Sequence, residues 1–219
     1  LIEVNTFTDY SALEHYANHT TRPDVIGMAT VAAVPDRTRQ KLQQVAKLQE
    51  LNPRLSLPID LAYHTPETLG HDRLAAAVGA ESLFQDQSCL IIDIGSCITY
   101  DYVSPQGVFE GGSISPGPQM RLRAMGDYTA ALPSLTFEAG EPTPLTGRST
   151  EEALRSGALH GVLHEIEGFI QVYQQQAPEL QTVLSGGSAA FFESNLKRTI
   201  FVEPHLVLKG LNQILLLNA

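Results

Sequence analysis

Three short stretches hold residue types that do chemistry at useful spacing. The first is Asp93-Ile94-Gly95-Ser96, set between two runs that read as strands. A carboxylate at the end of a buried strand is costly unless a cation or donors meet it. The glycine permits a tight turn that aims backbone N–H groups outward, a ready anion cradle, and Ser96 and Thr99 add hydroxyls. The plain alternative is a β-hairpin closed by an Asx-type turn. The second is Ser185-Gly186-Gly187-Ser188 after the strand-like run TVL. Two glycines between a strand and a helix let a ligand approach the backbone near a helix start, or serve only as a turn. The third is Gly70-His71-Asp72-Arg73. Asp72 and Arg73 at a helix start read either as a base and an anion clamp or as an acid facing the helix dipole. His160 and His164 stand four apart beside Glu165 and Glu167. Metal binding there needs a third ligand, so a solvated helix face is the simpler reading.

The chain that must position these groups has 219 residues, enough for one large or two small domains. At 43% hydrophobic and 17% charged it has a globular composition. Its formal charge is −10, a surface that repels nucleic acid and anionic membranes. No apolar run approaches the roughly 18 residues of a membrane span, and LIEVNTFTDY shows no signal-peptide pattern. Cys89 and Cys97 flank the extended run LIIDIG, too far apart for a disulfide, which points to free thiols and a reducing cytoplasm.

Alternation and breakers suggest the elements. Strands are expected at 1–7, 24–34 and, as an extended piece, 55–63. Helices are expected at 9–19, capped by Thr8 or Asp9, at 37–51, and from Pro66 to Phe84. A second unit opens near Ser88 with a three-stranded meander, CLIIDIG, CITYDYV and VFEGGSI, and then a helix over 116–132. After a proline-rich loop, Ser149-Thr150-Glu151-Glu152 has capping-box spacing and opens a long helix. TVLSGG, AAFFESNL, TIFVEP and LVLKGLNQILLL then read as strand, helix, strand and helix.

The halves 1–87 and 88–219 look like related units, the first lacking two opening strands. Their signals follow the order of the actin, sugar kinase and Hsp70 nucleotide-binding fold: acidic glycine hairpin, then a late strand-Gly-Gly-helix. The stretches LPID, YHTPETLGHDR, DIGSCITYDYV, GGSISPG, STEEALRSG, VLSGG and PHLVLKGLN, in this order and spacing from about residue 57 onward, resemble the type III pantothenate kinases. The resemblance implies an α/β fold of two actin-like (ribonuclease H-like) subdomains, each a mixed sheet flanked by helices, with a nucleotide cleft between them. It implies transfer of phosphate from ATP to pantothenate, the first step of coenzyme A synthesis, with Mg²⁺ and K⁺ or NH₄⁺ as cofactors. Asp72 would be the catalytic base. Gly70, His71, Asp72, Arg73, Tyr63 and Thr150 would bind pantothenate. Gly95, Ser96, Thr99, Gly186 and Gly187 would bind ATP, and Asp93 a monovalent cation. A homodimer completing the pantothenate site across its interface is implied as well.

The chain departs from the family pattern in places. Ser96 stands for a usual Thr, His71 for a small residue, and Cys97 and Ile98 for small or hydroxylated ones. The family's opening Asp-x-Gly-Asn-Thr hairpin does not precede Leu1. The expectation is that the expressed protein begins roughly twenty residues earlier, the length of two strands and a turn. Two other readings fit the residues: a non-catalytic accessory protein that binds nucleotide or pantothenate, and a different kinase of the same fold.

Overall fold

The computed structural model describes residues 5, 7, 9–19, 23–30, 33–52, 54–140, 142–198 and 200–218. Of the strand expected at 1–7, residues 1–4 and 6 lie outside the described residues, as does the cap expected at Thr8, and residues 5 and 7 are not in a strand. Asp9 caps the first helix, α1 (Tyr10–His19), accepting the Ala12 N–H on Oδ1 at 2.8 Å.

Next comes a small parallel sheet of β1 (Val25–Met28) and β2 (Lys47–Glu50), with α2 (Asp36–Val45) as its crossover. The periodicity of 37–51 predicts one continuous helix. The helix instead stops at Val45, Ala46 is fully extended, and 47–50 pairs with β1. Pairing wins because it satisfies the backbone of both strands, which helical propensity in Lys-Leu-Gln-Glu alone would not do. β1 is likewise shorter than the expected 24–34.

Six strands form the main sheet, in the order β3-β6-β5-β4-β7-β8. These are β3 (Asp60–Leu61), β4 (Cys89–Ile94), β5 (Cys97–Val103), β6 (Val108–Pro116), β7 (Gln181–Ser185) and β8 (Phe201–Val202). β4, β5 and β6 make the expected antiparallel meander, and β7 and β8 add in parallel to β4. Only two residues of the extended piece at 55–63 join the ladder. Pro66–Thr68 forms a separate 3₁₀ turn, so the next helix, α3, starts at His71 and runs to Leu83.

The sheet is covered on both faces, as its apolar strands require. One face buries Cys89, Ile91, Val103, Phe109 and Val183 against α3 and the C-terminal helix α7 (Leu206–Leu217). The other buries Leu90, Ile92, Ile94, Ile98, Tyr100 and Leu184 against α5 (Thr150–Gln176) and α6 (Ala189–Asn195). α4 (Pro118–Asp127) follows β6 and packs on the start of α5 through Leu122, Leu154 and Ala158. Ser149 caps α5 as its spacing predicts, accepting the Glu152 N–H, while Glu152 reaches back to the Arg148 N–H. A mixed sheet with a helical layer on each face is the α/β arrangement expected. β3 and α3 come from the first expected unit, yet β3 pairs with β6 and α3 packs on the main sheet, so they bridge residues 1–87 and 88–219.

α3 is held by an unusually close crossing with α7. A Cβ at Gly210 would run into the Ala75 carbonyl oxygen and lie 2.7 Å from the Gly79 nitrogen. Two glycines thus meet where side chains would hold the axes apart. Gly210→Ala is expected to lower stability by about 1–3 kcal/mol, the usual cost of overpacking, read as a lower midpoint in urea unfolding. An unchanged midpoint would show that the crossing is loose.

Candidate active site

Strand parity gathers the polar groups on one face of the sheet. Side chains alternate across a strand, and directly paired residues share a face. Ile91 lies on the α3 face, so Asp93 does too, and Asp101 and Thr99 pair with Ile91 and Asp93. On the other side of β4, Ser185 pairs with Asp93. Asp93, Thr99, Asp101 and Ser185 therefore form one polar patch at the end of the sheet. The first turn of α3 lies close above it, and Asp72 acts electrostatically on both Asp93 and Asp101.

Burial pushes the Asp93 carboxyl upward, and Asp72 and Asp101 add to this; the Ser185 hydroxyl bond partly offsets it. Arg73 is the cation set into this acidic patch. Its Nε donates to Asp101 Oδ1 at 3.0 Å and Nη2 donates to the same carboxylate, with side chains 7% and 0% exposed. Burial works against both charges and pushes Asp101 upward against the pull of Arg73. A guanidinium does not deprotonate in proteins, so Arg73 brings a full positive charge to the Asp101 carboxyl. The Tyr63 ring lies 5.6 Å from the guanidinium carbon and packs on Phe109, completing a half-aromatic cage.

Asp72 itself is exposed at the start of α3. Its Oδ1 accepts the Arg73 N–H at 2.8 Å, which fixes the carboxylate against the helix. Gly70 precedes it as the N-terminal boundary residue. His71 is half-buried, and its Nδ1 is buried without a hydrogen-bond partner. It lines a groove of about 680 Å³ together with Asn52, Arg54, Leu61, Pro66 and Glu67.

The two glycine turns meet at the same end. Gly95 and Ser96 are the exposed tip of the β4–β5 hairpin. Gly186 has φ +89°, and a Cβ there would lie 2.6 Å from the Ile94 carbonyl oxygen and 2.9 Å from Asp93 Oδ1. Only glycine suits both the left-handed backbone and that approach. The Ser188 N–H donates to the Ile94 carbonyl, tying the second turn to the first.

Asp72, Arg73, Tyr63, Asp93, Gly95, Ser96, Thr99 and Gly186–Gly187 are thus brought to one region. Thr150 stands apart, exposed at the head of α5, a helix that covers the other face of the sheet. Asp101 belongs to none of the three stretches, and Ser185 opens the second of them without a role of its own. Asp101 and Ser185 had a signal: each is a polar residue at an even spacing from Asp93's face partners. Glu165 and Glu167 need correction, because neither lies on a freely solvated face. Glu165 pairs with Arg121, and Glu167 with Arg198. His164 is exposed and His160 meets the Thr143 carbonyl. Among the described residues no three His, Cys, Asp or Glu side chains form a metal-ligand group. Cys89 and Cys97 are free, as their spacing implies, and burial pushes the Cys89 thiol up to about 12.

Known proteins resemble this chain over most of its length. Residues 6–172 match the family model described as type III pantothenate kinase. A type III pantothenate kinase of Cytophaga hutchinsonii is 48% identical over 177 residues, 81% of this chain and 74% of that one. One of Bacteroides fragilis is 43% identical over 87% of this chain and 79% of its own. One of Christiangramia forsetii is 33% identical over 100% of this chain and 90% of its own. Among solved structures, a Campylobacter jejuni protein described as a Baf family transcriptional activator superposes with TM-score 0.64, covering 94% of this chain and 88% of that one. At 20% identity that likeness speaks to the fold alone. A family match over most of the chain, and relatives above 30% identity over most of both lengths, lead to one conclusion: this chain belongs to the type III pantothenate kinase family.

Proposed function

We propose that the chain moves the γ-phosphoryl group of ATP to the primary hydroxyl of pantothenate, giving 4′-phosphopantothenate and ADP. The observation that carries the assignment of roles is the convergence of Asp72, Asp93 and both glycine turns at one end of one sheet face. The nucleotide lies in the cleft between the subdomains 1–87 and 88–219. Its phosphates meet the Gly95–Ser96 turn and Thr99, and its nucleoside lies toward Gly186 and Gly187. Pantothenate lies at Gly70–Arg73 and Tyr63.

Asp72 takes the proton as the hydroxyl oxygen forms its bond to the γ-phosphorus, while the bond to the ADP oxygen breaks. Phosphoryl transfer is loose, so positioning and electrostatics supply most of the acceleration. The Arg73 N–H contact holds Asp72 in one orientation. Arg73 balances the charge of Asp101 beneath it rather than reaching openly into solvent.

Asp93 and the Ser185 hydroxyl are hard oxygen donors that suit a monovalent cation, and the upward push on Asp93 marks a site where added positive charge is favourable. Such a cation supplies electrostatic balance for the phosphates. Mg²⁺ keeps several waters and binds mainly through substrate phosphates, so we place it on ATP. Thr150, at the head of the helix that covers the other face of the sheet, is assigned to the pantothenate site of a partner subunit in a homodimer. The free thiols support a cytoplasmic location. Among the described residues no helix is long and apolar enough to cross a membrane.

The test is direct. Purified protein with ATP, Mg²⁺, K⁺ and pantothenate should release ADP and form phosphopantothenate. Binding of ATP without turnover would favour the accessory-protein reading instead. With sodium replaced by K⁺, turnover should rise about tenfold or more, on the scale of a charge placed at a developing phosphate. Asp93→Asn should remove most of that response; identical rates in both salts would end the cation assignment.

A further inference from the structure

On the face of the sheet away from the reacting groups lies a second charged cluster. Glu165, in the middle of α5, is half-buried and accepts three donors from three other elements. Tyr100 of β5 donates to Oε1 at 2.8 Å, Ser115 of β6 donates to the same oxygen, and Arg121 of α4 donates to Oε2. Burial opposes the charge on Glu165, but these donors outweigh it and hold its carboxyl below the usual range. Tyr100 is fully buried and stacks on Phe169 with ring centroids 4.0 Å apart, so its hydroxyl has little freedom.

The guanidinium does not stop at Glu165. Its Nε donates to the Pro116 carbonyl at 2.8 Å. That carbonyl and the Gly117 N–H belong to one planar trans peptide and point in opposite directions. The Gly117 N–H donates to the Ser96 carbonyl at 3.0 Å. A Cβ at Gly117 would lie 2.8 Å from that oxygen and would run into the Gly95 carbonyl, so the peptide lies flat against the turn. Gripping one end of a rigid peptide fixes the other. The link therefore runs without a gap from Glu165 through Arg121 and the 116–117 peptide to the Gly95–Ser96 turn.

We infer that Arg121 and Glu165 are positioning residues for ATP: they set the Gly95–Ser96 turn from behind by clamping the Pro116–Gly117 peptide. The inference rests on the reading of that turn as the phosphate-binding hairpin. A charged donor at one end of a peptide also polarises the other, which strengthens the Gly117 bond to Ser96. Arg is required rather than Lys, because one planar fork must meet both a carboxylate and a carbonyl.

Steady-state kinetics on Arg121→Met, Arg121→Lys and Glu165→Gln tests this. The KM for ATP should rise about tenfold in Arg121→Met, since small misplacements of a binding group carry losses of that order. The KM for pantothenate should stay within about twofold, because Asp72 and Tyr63 have no bond to this chain of contacts. Arg121→Lys should behave like Arg121→Met if the Pro116 grip matters, and like the parent if only the ion pair does, which would overturn the clamp. A purely structural role would reduce the active fraction and leave both KM values unchanged, and that result would also overturn it. If Arg121→Met does not fold, Glu165→Gln, which keeps the shape of the side chain, decides by the same KM for ATP. Ser96→Ala tests the hairpin separately from the clamp. A raised KM for ATP in Ser96→Ala with none in the Arg121 variants removes the clamp alone. No change in either removes the hairpin reading as well.

Discussion

Asp72→Asn should lower kcat by about 10²–10⁴, the usual worth of a positioned general base. The substitution is chosen to leave everything else in place. The amide has the size of the carboxylate, and its oxygen still accepts the Arg73 N–H that Oδ1 accepts at 2.8 Å. One negative charge is removed from a patch where Asp72 acts on Asp93 and Asp101, so the fall in repulsion offsets the loss of a first-turn acid facing the helix dipole. The KM for ATP should accordingly be little changed. Steady-state assays with each substrate varied would check this, with a urea melt beside them. Turnover close to that of the parent would remove Asp72 from the mechanism.

Arg73→Met should destabilise the protein by about 3–5 kcal/mol, the typical loss when one partner of a buried ion pair is removed. Asp101 is fully buried, and its carboxylate would be left facing Asp72 and Asp93 with no cation bonded to it. The length and apolar stem of methionine fill the space beside Tyr63 and Phe109, so the loss isolates charge from packing. Replacing both partners, in Arg73→Met with Asp101→Leu, should recover much of the stability, since an apolar pair of similar volume is often neutral. Urea unfolding midpoints measure both. A single variant as stable as the parent would mean that Asp101 is neutral in the folded protein, and the double variant would then bring no recovery.

Much of the chemistry was written locally. Asp93-Ile94-Gly95-Ser96 and Ser185-Gly186-Gly187 each sit where a strand ends, and a strand-ending glycine turn is a property of a few consecutive residues. The capping serine at 149 and the meander from 89 to 116 are local in the same sense. The longer reach of 37–51 misled because its apolar spacing suits a helix. Only the presence of Val25–Met28 alongside made a strand of Lys47–Glu50 the better use of its backbone.

The sequence by itself determined which residues could act: an acid with an adjacent arginine at a helix start, and two glycine turns flanked by acids and hydroxyls. Tertiary structure alone decided which of them meet. The side-chain alternation of three paired strands put Asp93, Thr99, Asp101 and Ser185 on one face, and a glycine-to-glycine crossing set α3 above them. It gave Arg73 to Asp101, 28 residues away, and Glu165 to donors from three other elements. Such partnerships are contacts at long sequence separation, and a local pattern holds no record of them. They exist because buried charges must find partners, and only the folded chain determines which partner is within reach.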